Sequence, residues 1–87
     1  MRKKLTIHGN LSEGGVKYVA QRYAMPLGLT GVSSRGPEGT IVVEIQGDQK
    51  KIEQFKTKMA KGNQFFSVER IDEEDMPEVA EKMFRIG

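Results

Sequence analysis

Apolar and polar residues alternate at the start of the chain and then change to a helical spacing. In KKLTIHG, Leu5 and Ile7 fall on one face and polar side chains on the other, which predicts a strand over residues 3–8. The polar, glycine-rich GNLSEGG that follows predicts a loop. An amphipathic helix comes next, and Pro26 ends it because a residue before proline is biased away from helical geometry. The apolar stripe of this helix consists of Val16, Val19, Ala20, Tyr23 and Ala24.

The middle of the chain predicts a hairpin followed by a second helix. The segments LTGVSS and TIVVEIQ contain β-branched residues and flank the turn sequence RGPEG. Asp48 is placed to cap the next helix, and Gly62 is placed to end it. The apolar residues at helical spacing between them are Ile52, Phe55, Met59 and Ala60.

The last third of the chain is less regular. FFSVERI predicts a fourth strand with Phe65 and Phe66 on opposite faces, so that one packs and the other is partly exposed. Two interpretations of the tail stay open. Residues 75–78 resemble a helix capping box and precede an apolar stripe of helical spacing, whereas KMFRI is equally typical of a short final strand.

These elements follow the order strand, helix, strand, strand, helix, strand. The order predicts a ferredoxin-like α+β sandwich, in which a four-stranded antiparallel sheet carries both helices on one face. A length of 87 residues suits a single domain over residues 1–87, with a core of modest size. Because this fold carries many functions, the function must be inferred from the residues of a site.

Composition narrows the functional classes. The chain has no cysteine, which excludes disulfides, thiolate metal sites and cysteine nucleophiles. Its net charge is only +2, and the basic clusters are offset by the acidic run DEED at residues 72–75, as on a mixed, solvated surface. No apolar run approaches the roughly 20 residues of a membrane span. The basic start is not followed by the apolar run that a signal peptide requires. The expected location is therefore the cytoplasm.

Over residues 5–71 the sequence resembles the acylphosphatase family. The segments PLGLTG, GPEGTIVVEIQGD, IEQFKTKMAKG and VERI are similar to that family's Leu-Gly-Leu-x-Gly segment, Asp-Gly-Thr-Val hairpin, second helix and fourth strand. The resemblance implies a short fifth strand, which favours the strand interpretation of KMFRI. It also implies hydrolysis of acyl phosphates, the mixed anhydrides of a carboxylate and phosphate, without a metal, a cofactor or a covalent intermediate.

The resemblance further implies a phosphate site at the start of the first helix. The family's loop ends in Gly-x-Gly-Phe-Arg, and its backbone N–H groups wrap the phosphoryl oxygens where a helix N-terminus supplies free donors and a positive dipole end. Counted from PLGLTG, Lys17 takes the place of the family's arginine, and Arg35 takes that of the asparagine that holds the attacking water. The corresponding backbone groups belong to Ser12, Glu13, Gly14, Gly15 and Val16.

Three of these positions depart from the family's residue types. Lys17 keeps the positive charge but lacks the planar fork of a guanidinium. Glu13 stands for a glycine and brings a carboxylate beside an anion site, where it could instead pair with Lys17 or Arg35. Arg35 has only donors and cannot orient water as an asparagine carbonyl does, although it could join Lys17 in a two-cation clamp on phosphate. The departures predict weak or lost hydrolysis, and a non-catalytic module that binds an anion or a protein stays the alternative.

Other candidate residues favour structural roles. His8, the only histidine, lies near the end of the first strand without a predictable partner for acid–base catalysis. The DEED run is interpreted as an exposed loop rather than a cation site. On the first helix, Tyr23 lies on the apolar stripe and Tyr18 faces solvent. GTIVVEIQG carries no aromatic residue, so RNA recognition is not expected, and the predicted partner is a small acyl phosphate or phosphate-like anion bound by a monomer.

Overall fold

Five strands and two α-helices make up the regular structure of the residues described, 1–12 and 15–87. In this computed structural model, every strand and helix of the predicted βαββαβ order is present, and one short strand follows them. The strands are β1 (Arg2–Asn10), β2 (Thr30–Arg35), β3 (Ile41–Gln46), β4 (Ser67–Met76) and β5 (Phe84–Ile86). The α-helices are α1 (Val16–Ala24) and α2 (Gln49–Ala60).

The strands form one sheet in the order β4-β1-β3-β2-β5. Neighbouring strands are antiparallel except β2 and β5, which run parallel. Strands β1 to β4 have the arrangement of the split βαβ fold, and β5 extends the sheet beside β2. The prediction of a ferredoxin-like α+β fold with a short fifth strand is confirmed.

One core joins the sheet to both helices. Alternate residues of β1 and β3 are buried, among them Leu5 and Val43, because successive side chains of a strand point to opposite faces. Val16 of α1 and Phe55 of α2 are buried in the same cluster. Asp48 caps α2 as predicted, since its carboxylate accepts a hydrogen bond from the N–H of Lys50 at 2.8 Å.

Strand β4 is longer than the sequence pattern predicts, and the interpretation of DEED as a loop is wrong. Residues 72–75 all pair with β1. The ammonium of Lys3 lies 2.7 Å from the carboxylate of Asp75, and that of Lys4 lies 3.7 Å from Glu74. Because cations of β1 stand opposite the acidic run, carboxylates that would repel one another in isolation are accommodated in a strand.

The two phenylalanines lie ahead of β4 rather than within it. The strand begins at Ser67, and the side chain of Asn63 accepts hydrogen bonds from the N–H groups of Phe65 and Phe66 at 2.7 and 3.1 Å. Phe66 is 4% exposed and packs in the core, whereas Phe65 is 65% exposed. The expectation that one ring packs and the other is exposed is confirmed, although a turn produces it instead of the strand.

The tail forms a strand and a connecting segment, here called the tail strap (residues 77–83), and not a helix. β5 lies beside β2, and the N–H of Gly31 donates to the carbonyl of Met83 at 3.2 Å. Arg2 holds the strap through Glu81, whose carboxylate accepts a hydrogen bond at 2.6 Å. The alternative of a helix is therefore wrong, because contacts with β1 and β2 outweigh the apolar stripe.

Candidate functional site

The predicted phosphate loop leads into α1 through a left-handed glycine. Gly15 has φ 58° and ψ 43°, a conformation that glycine adopts without steric cost. Its carbonyl accepts hydrogen bonds from the N–H groups of Tyr18 and Val19 at 2.9 and 3.0 Å, which closes the first turn. The N–H groups of Val16 and Lys17 belong to this turn and lack acceptors within the helix, so the helix start offers donors and a positive dipole end.

Two of the predicted phosphate-binding residues, Glu13 and Gly14, lie outside the described residues. Ser12 is exposed on the chain ahead of them, and Gly15 follows them, also exposed. Ser12, Gly15 and Val16 flank these two residues, and their contacts with phosphate stay predictions.

Hydrogen bonds hold both the side chain and the backbone of Lys17. Its ammonium donates a hydrogen bond to the backbone oxygen of Gly87 at 2.8 Å. Its carbonyl accepts one from the hydroxyl of Ser33 at 3.0 Å. The lysine is half-buried, and its hydrogen bond to Gly87 lies at an exposed position.

Arg35 reaches from the end of β2 to the loop that precedes α1. Its Nη1 donates to the carbonyl of Leu11 at 2.9 Å, and its Nη2 donates to the carbonyl of Ser12 at 3.3 Å. The guanidinium therefore braces the backbone of the loop by two hydrogen bonds. A guanidinium has five N–H donors, so this brace leaves others for a ligand but provides no acceptor for water.

The two cations that the sequence singles out are both connected to β2. Lys17 is joined to β2 through Ser33, and Arg35 stands two residues further along the same strand. Sequence reasoning missed Ser33 and Gly87. One signal for Ser33 was present, because the core-facing positions of β2 are Gly31, Ser33 and Arg35, where an ordinary strand would carry apolar residues.

His8 lies away from this cluster. Its Nε2 is 3.0 Å from a carboxylate oxygen of Asp72 on β4, and Arg70 contacts the same carboxylate at 3.3 Å. His8 and the buried Ile7 are neighbours in a strand and so point to opposite faces of the sheet. The histidine therefore faces the side without helices, where Asp72 is the partner that sequence reasoning could not name.

A surface cleft of about 530 Å³ separates the outer sides of α1 and α2 and lies apart from the loop. Tyr23 lines it and is half-buried against the core, with the ammonium of Lys58 4.5 Å from the centre of its ring. Tyr18 is 61% exposed, as expected. In the part of the chain that the structure describes, this cleft does not contact Lys17 or Arg35.

Among residues 1–12 and 15–87, no group of three or more histidine, cysteine or acidic side chains is arranged to hold a metal ion. Within the same residues, neither helix has the length and apolar character that crossing a membrane requires.

Comparisons with known proteins agree with this architecture. A model of the acylphosphatase family matches residues 3–86. An acylphosphatase of Clostridium perfringens is 35% identical over 85 residues, which cover 97% of this chain and 96% of that protein.

Solved structures share the fold at lower identity. The acylphosphatase from Bacillus subtilis superposes with a TM-score of 0.87 at 16% identity, over 98% of this chain and 94% of that chain. The acylphosphatase from Coxiella burnetii gives a TM-score of 0.92 at 17% identity, over 99% of this chain and 90% of that chain. Hydrolysis of small acyl phosphates is the function of the matched family. From the family model and the full-length similarity, the chain belongs to the acylphosphatase family.

Proposed function

We propose that this chain, as a single acylphosphatase domain over residues 1–87, binds the phosphoryl group of an acyl phosphate at the start of α1. The observation that carries the proposal is that Lys17 lies in the first turn of α1 and is held to β2, while Arg35 of the same strand holds the backbone of Leu11 and Ser12 ahead of that helix. A phosphoryl group bound there meets two cations, backbone N–H donors and the positive end of the helix dipole.

Lys17 is the residue assigned to charge neutralisation. An ammonium has three donors, and the hydrogen bond to Gly87 occupies one of them. Two remain for phosphoryl oxygens, together with the N–H groups of Ser12, Gly15 and Val16. Glu13 and Gly14 belong to the proposed loop by their place in the sequence alone.

Arg35 limits the chemistry in this proposal. Hydrolysis requires a water molecule that is held and aimed at phosphorus, and an acceptor is needed to hold it. Arg35 has no acceptor, and its two terminal nitrogens donate to the carbonyls of Leu11 and Ser12. These contacts support phosphate binding with slow hydrolysis, and they favour a second candidate function, anion binding without turnover.

The first test measures hydrolysis of benzoyl phosphate and affinity for inorganic phosphate with the purified protein. Lys17→Ala should lower both by about 10- to 100-fold, because a charge-assisted hydrogen bond is lost. Lys51→Ala removes an exposed lysine of α2 and is the matched control. Turnover that is lost in Lys17→Ala supports hydrolysis at this loop, whereas phosphate affinity without turnover supports the second function. Equal affinity in Lys17→Ala and the unchanged protein contradicts the site.

The second test restores the residue types of the family. The triple variant Lys17→Arg, Arg35→Asn and Glu13→Gly should raise the rate of benzoyl phosphate hydrolysis above that of the unchanged protein. It regains the planar fork and an acceptor for water, and it removes a carboxylate from the loop. A triple variant that folds but gains no activity would show that the loop no longer holds phosphate in a reactive arrangement.

The monomeric state, the cytoplasmic location and the lack of nucleic-acid binding stay predictions. Size-exclusion chromatography with light scattering checks the first of them. The small net charge of +2 supports the last, because nucleic-acid binders usually concentrate positive charge on one face.

A further inference from the structure

Ser33 is a buried hydroxyl in a place where a strand normally packs apolar side chains. It is 0% exposed, in the middle of β2, on the face that packs against the helices. A buried hydroxyl without a partner is costly, and this one donates to the carbonyl of Lys17 at 3.0 Å. Among the residues described, the one hydrogen bond of the Ser33 hydroxyl therefore joins β2 to the first turn of α1.

The same serine closes a ring of three hydrogen bonds. The hydroxyl of Ser33 donates to the carbonyl of Lys17, and the carbonyl of Ser33 accepts from the N–H of Gly87 at 2.7 Å. The backbone oxygen of Gly87 in turn accepts from the ammonium of Lys17 at 2.8 Å. The backbone and the ammonium of one lysine are thus both fixed relative to a single residue of β2.

This ring determines where the remaining donors of Lys17 can point. One N–H of the ammonium is directed at Gly87, so the other two are restricted in direction. Arg35 reaches the loop from two residues further along the strand that carries Ser33. A shift of α1 along β2 would therefore change the distance between the lysine and the braced loop.

We propose that Ser33 is a positioning residue for the phosphate site, which it serves by fixing the first turn of α1, and hence Lys17, against β2. The inference rests on the proposed function, because it assigns Ser33 a role only through the anion that Lys17 binds. Ser33 does not touch the phosphoryl group.

A structural role alone predicts a different result from a positioning role. In a regular helix the carbonyl of Lys17 also accepts from the N–H four residues later, so loss of the hydroxyl leaves no buried acceptor without a donor. Ser33→Ala should therefore fold with nearly unchanged stability. Its effect should appear in phosphate affinity and should depend on the presence of Lys17.

The test measures the dissociation constant of inorganic phosphate by calorimetry for a double-mutant cycle. Ser33→Ala should weaken phosphate binding about fivefold, which corresponds to the free energy of one ordinary hydrogen bond. Ser33→Thr keeps the hydroxyl and should bind phosphate more tightly than Ser33→Ala. Ser34→Ala, on the opposite face of β2, is the control and should bind as the unchanged protein does. In a Lys17→Ala background, Ser33→Ala should have no further effect, because the residue it positions is gone.

The outcomes separate the two proposals. If Lys17→Ala weakens binding as expected and Ser33→Ala binds as tightly as the unchanged protein, the inference is overturned and the proposed site stands. An effect of Ser33→Ala that is equally large without Lys17 also overturns it. If Lys17→Ala itself has no effect on phosphate affinity, the proposed function fails, and the positioning role fails with it.

Discussion

Lys17 lies in the first turn of α1 and Arg35 reaches the chain ahead of it, and these two cations make different kinds of contact. Lys17 gives its ammonium to a single backbone oxygen, whereas Arg35 spreads its fork over two carbonyls of the loop. The resemblance to the acylphosphatase family, counted from PLGLTG, predicted Lys17 at the helix start and Arg35 on the second strand. Their partners are 70 and 24 positions away in the chain, so no local pattern contains them.

The turn between β2 and β3 offers a prediction for one residue. Glu38 and Gly39 have φ angles of 57° and 79°, and the N–H of Thr40 donates to the carbonyl of Pro37 at 3.1 Å. This left-handed pair is the turn that asparagine and glycine favour, so a glutamate is strained there. Glu38→Asn should raise the free energy of unfolding in urea by about 0.5–1 kcal/mol.

Gly39→Ala, at the next position of the same turn, is the matched control, and its expected effect on stability has the opposite sign. A methyl group at this position would meet no atom within 4 Å, so any loss of stability comes from the positive φ alone. That variant should be less stable by about 1 kcal/mol. Equal stability of Glu38→Asn and the unchanged protein would argue against strain at Glu38.

Among the elements, those that bury an apolar stripe were predicted well, and those fixed by charge or by neighbours were not. The stripe of α1, the residues Ile52, Phe55 and Met59 of α2 and the alternation of β3 pack in or against the core as expected. Ala60, which the predicted stripe of α2 also included, is exposed. The second half of β4 is built from carboxylates, and its strand geometry depends on cations of β1 that are about 70 residues away in sequence. β5 has only three residues, and pairing with β2 decides its conformation.

The contact between α2 and β4 makes stability depend on pH. Glu73 accepts a hydrogen bond from Lys56 of α2, which lowers the pKa of Glu73; burial opposes this effect, and Lys3 adds to it. The ordinary pKa of a glutamate is about 4.5. A lowered pKa in the folded state gives stability that is fully present above that value and is lost as the pH falls through the folded pKa.

Glu73→Gln should therefore have a lower free energy of unfolding than the unchanged protein at neutral pH. On acidification, the free energy of unfolding of this variant should fall less than that of the unchanged protein. Urea unfolding between about pH 7 and pH 3 measures both slopes. Glu69→Gln, an exposed position on the same strand, is the control. Parallel pH profiles for Glu73→Gln and the unchanged protein would show that the carboxylate is not linked to folding.

Across the whole molecule, the tail strap connects the outer strand β4 to the opposite edge of the sheet. Its buried attachment is Arg2, which is 5% exposed and contacts Glu81, Glu44 and Gln46. Gln46 and Val79 exchange two further hydrogen bonds, and Thr30 donates to Glu81. Burial lowers the pKa of Arg2, but the hydrogen bonds and charges of Glu81 and Glu44 outweigh it and leave that pKa raised. The strap ends in β5, so this attachment also supports the strand that carries Gly87 toward Lys17.

The strap contains two glutamates whose ion pairs differ in exposure. Glu81, 10% exposed, pairs with the buried Arg2, whereas Glu78, 62% exposed, pairs with the amino group of Met1. Glu81→Ala should lower the free energy of unfolding by about 1–3 kcal/mol, because a buried cation loses its nearest partner. Glu78→Ala should have little effect, because an exposed pair contributes little. Equal urea unfolding curves for the two variants would contradict a role for burial.

The acidic run of β4 has a consequence for how copies of this protein meet one another. β4 is an outer strand, the position from which sheets grow by adding strands of other molecules. Carboxylates line both of its faces, so a second copy that approached this edge would place like charges against like charges. We therefore expect charge to disfavour edge-to-edge assembly of two copies at β4. We expect acid, which neutralises the carboxylates, to remove this repulsion and open the ten-residue edge strand to association.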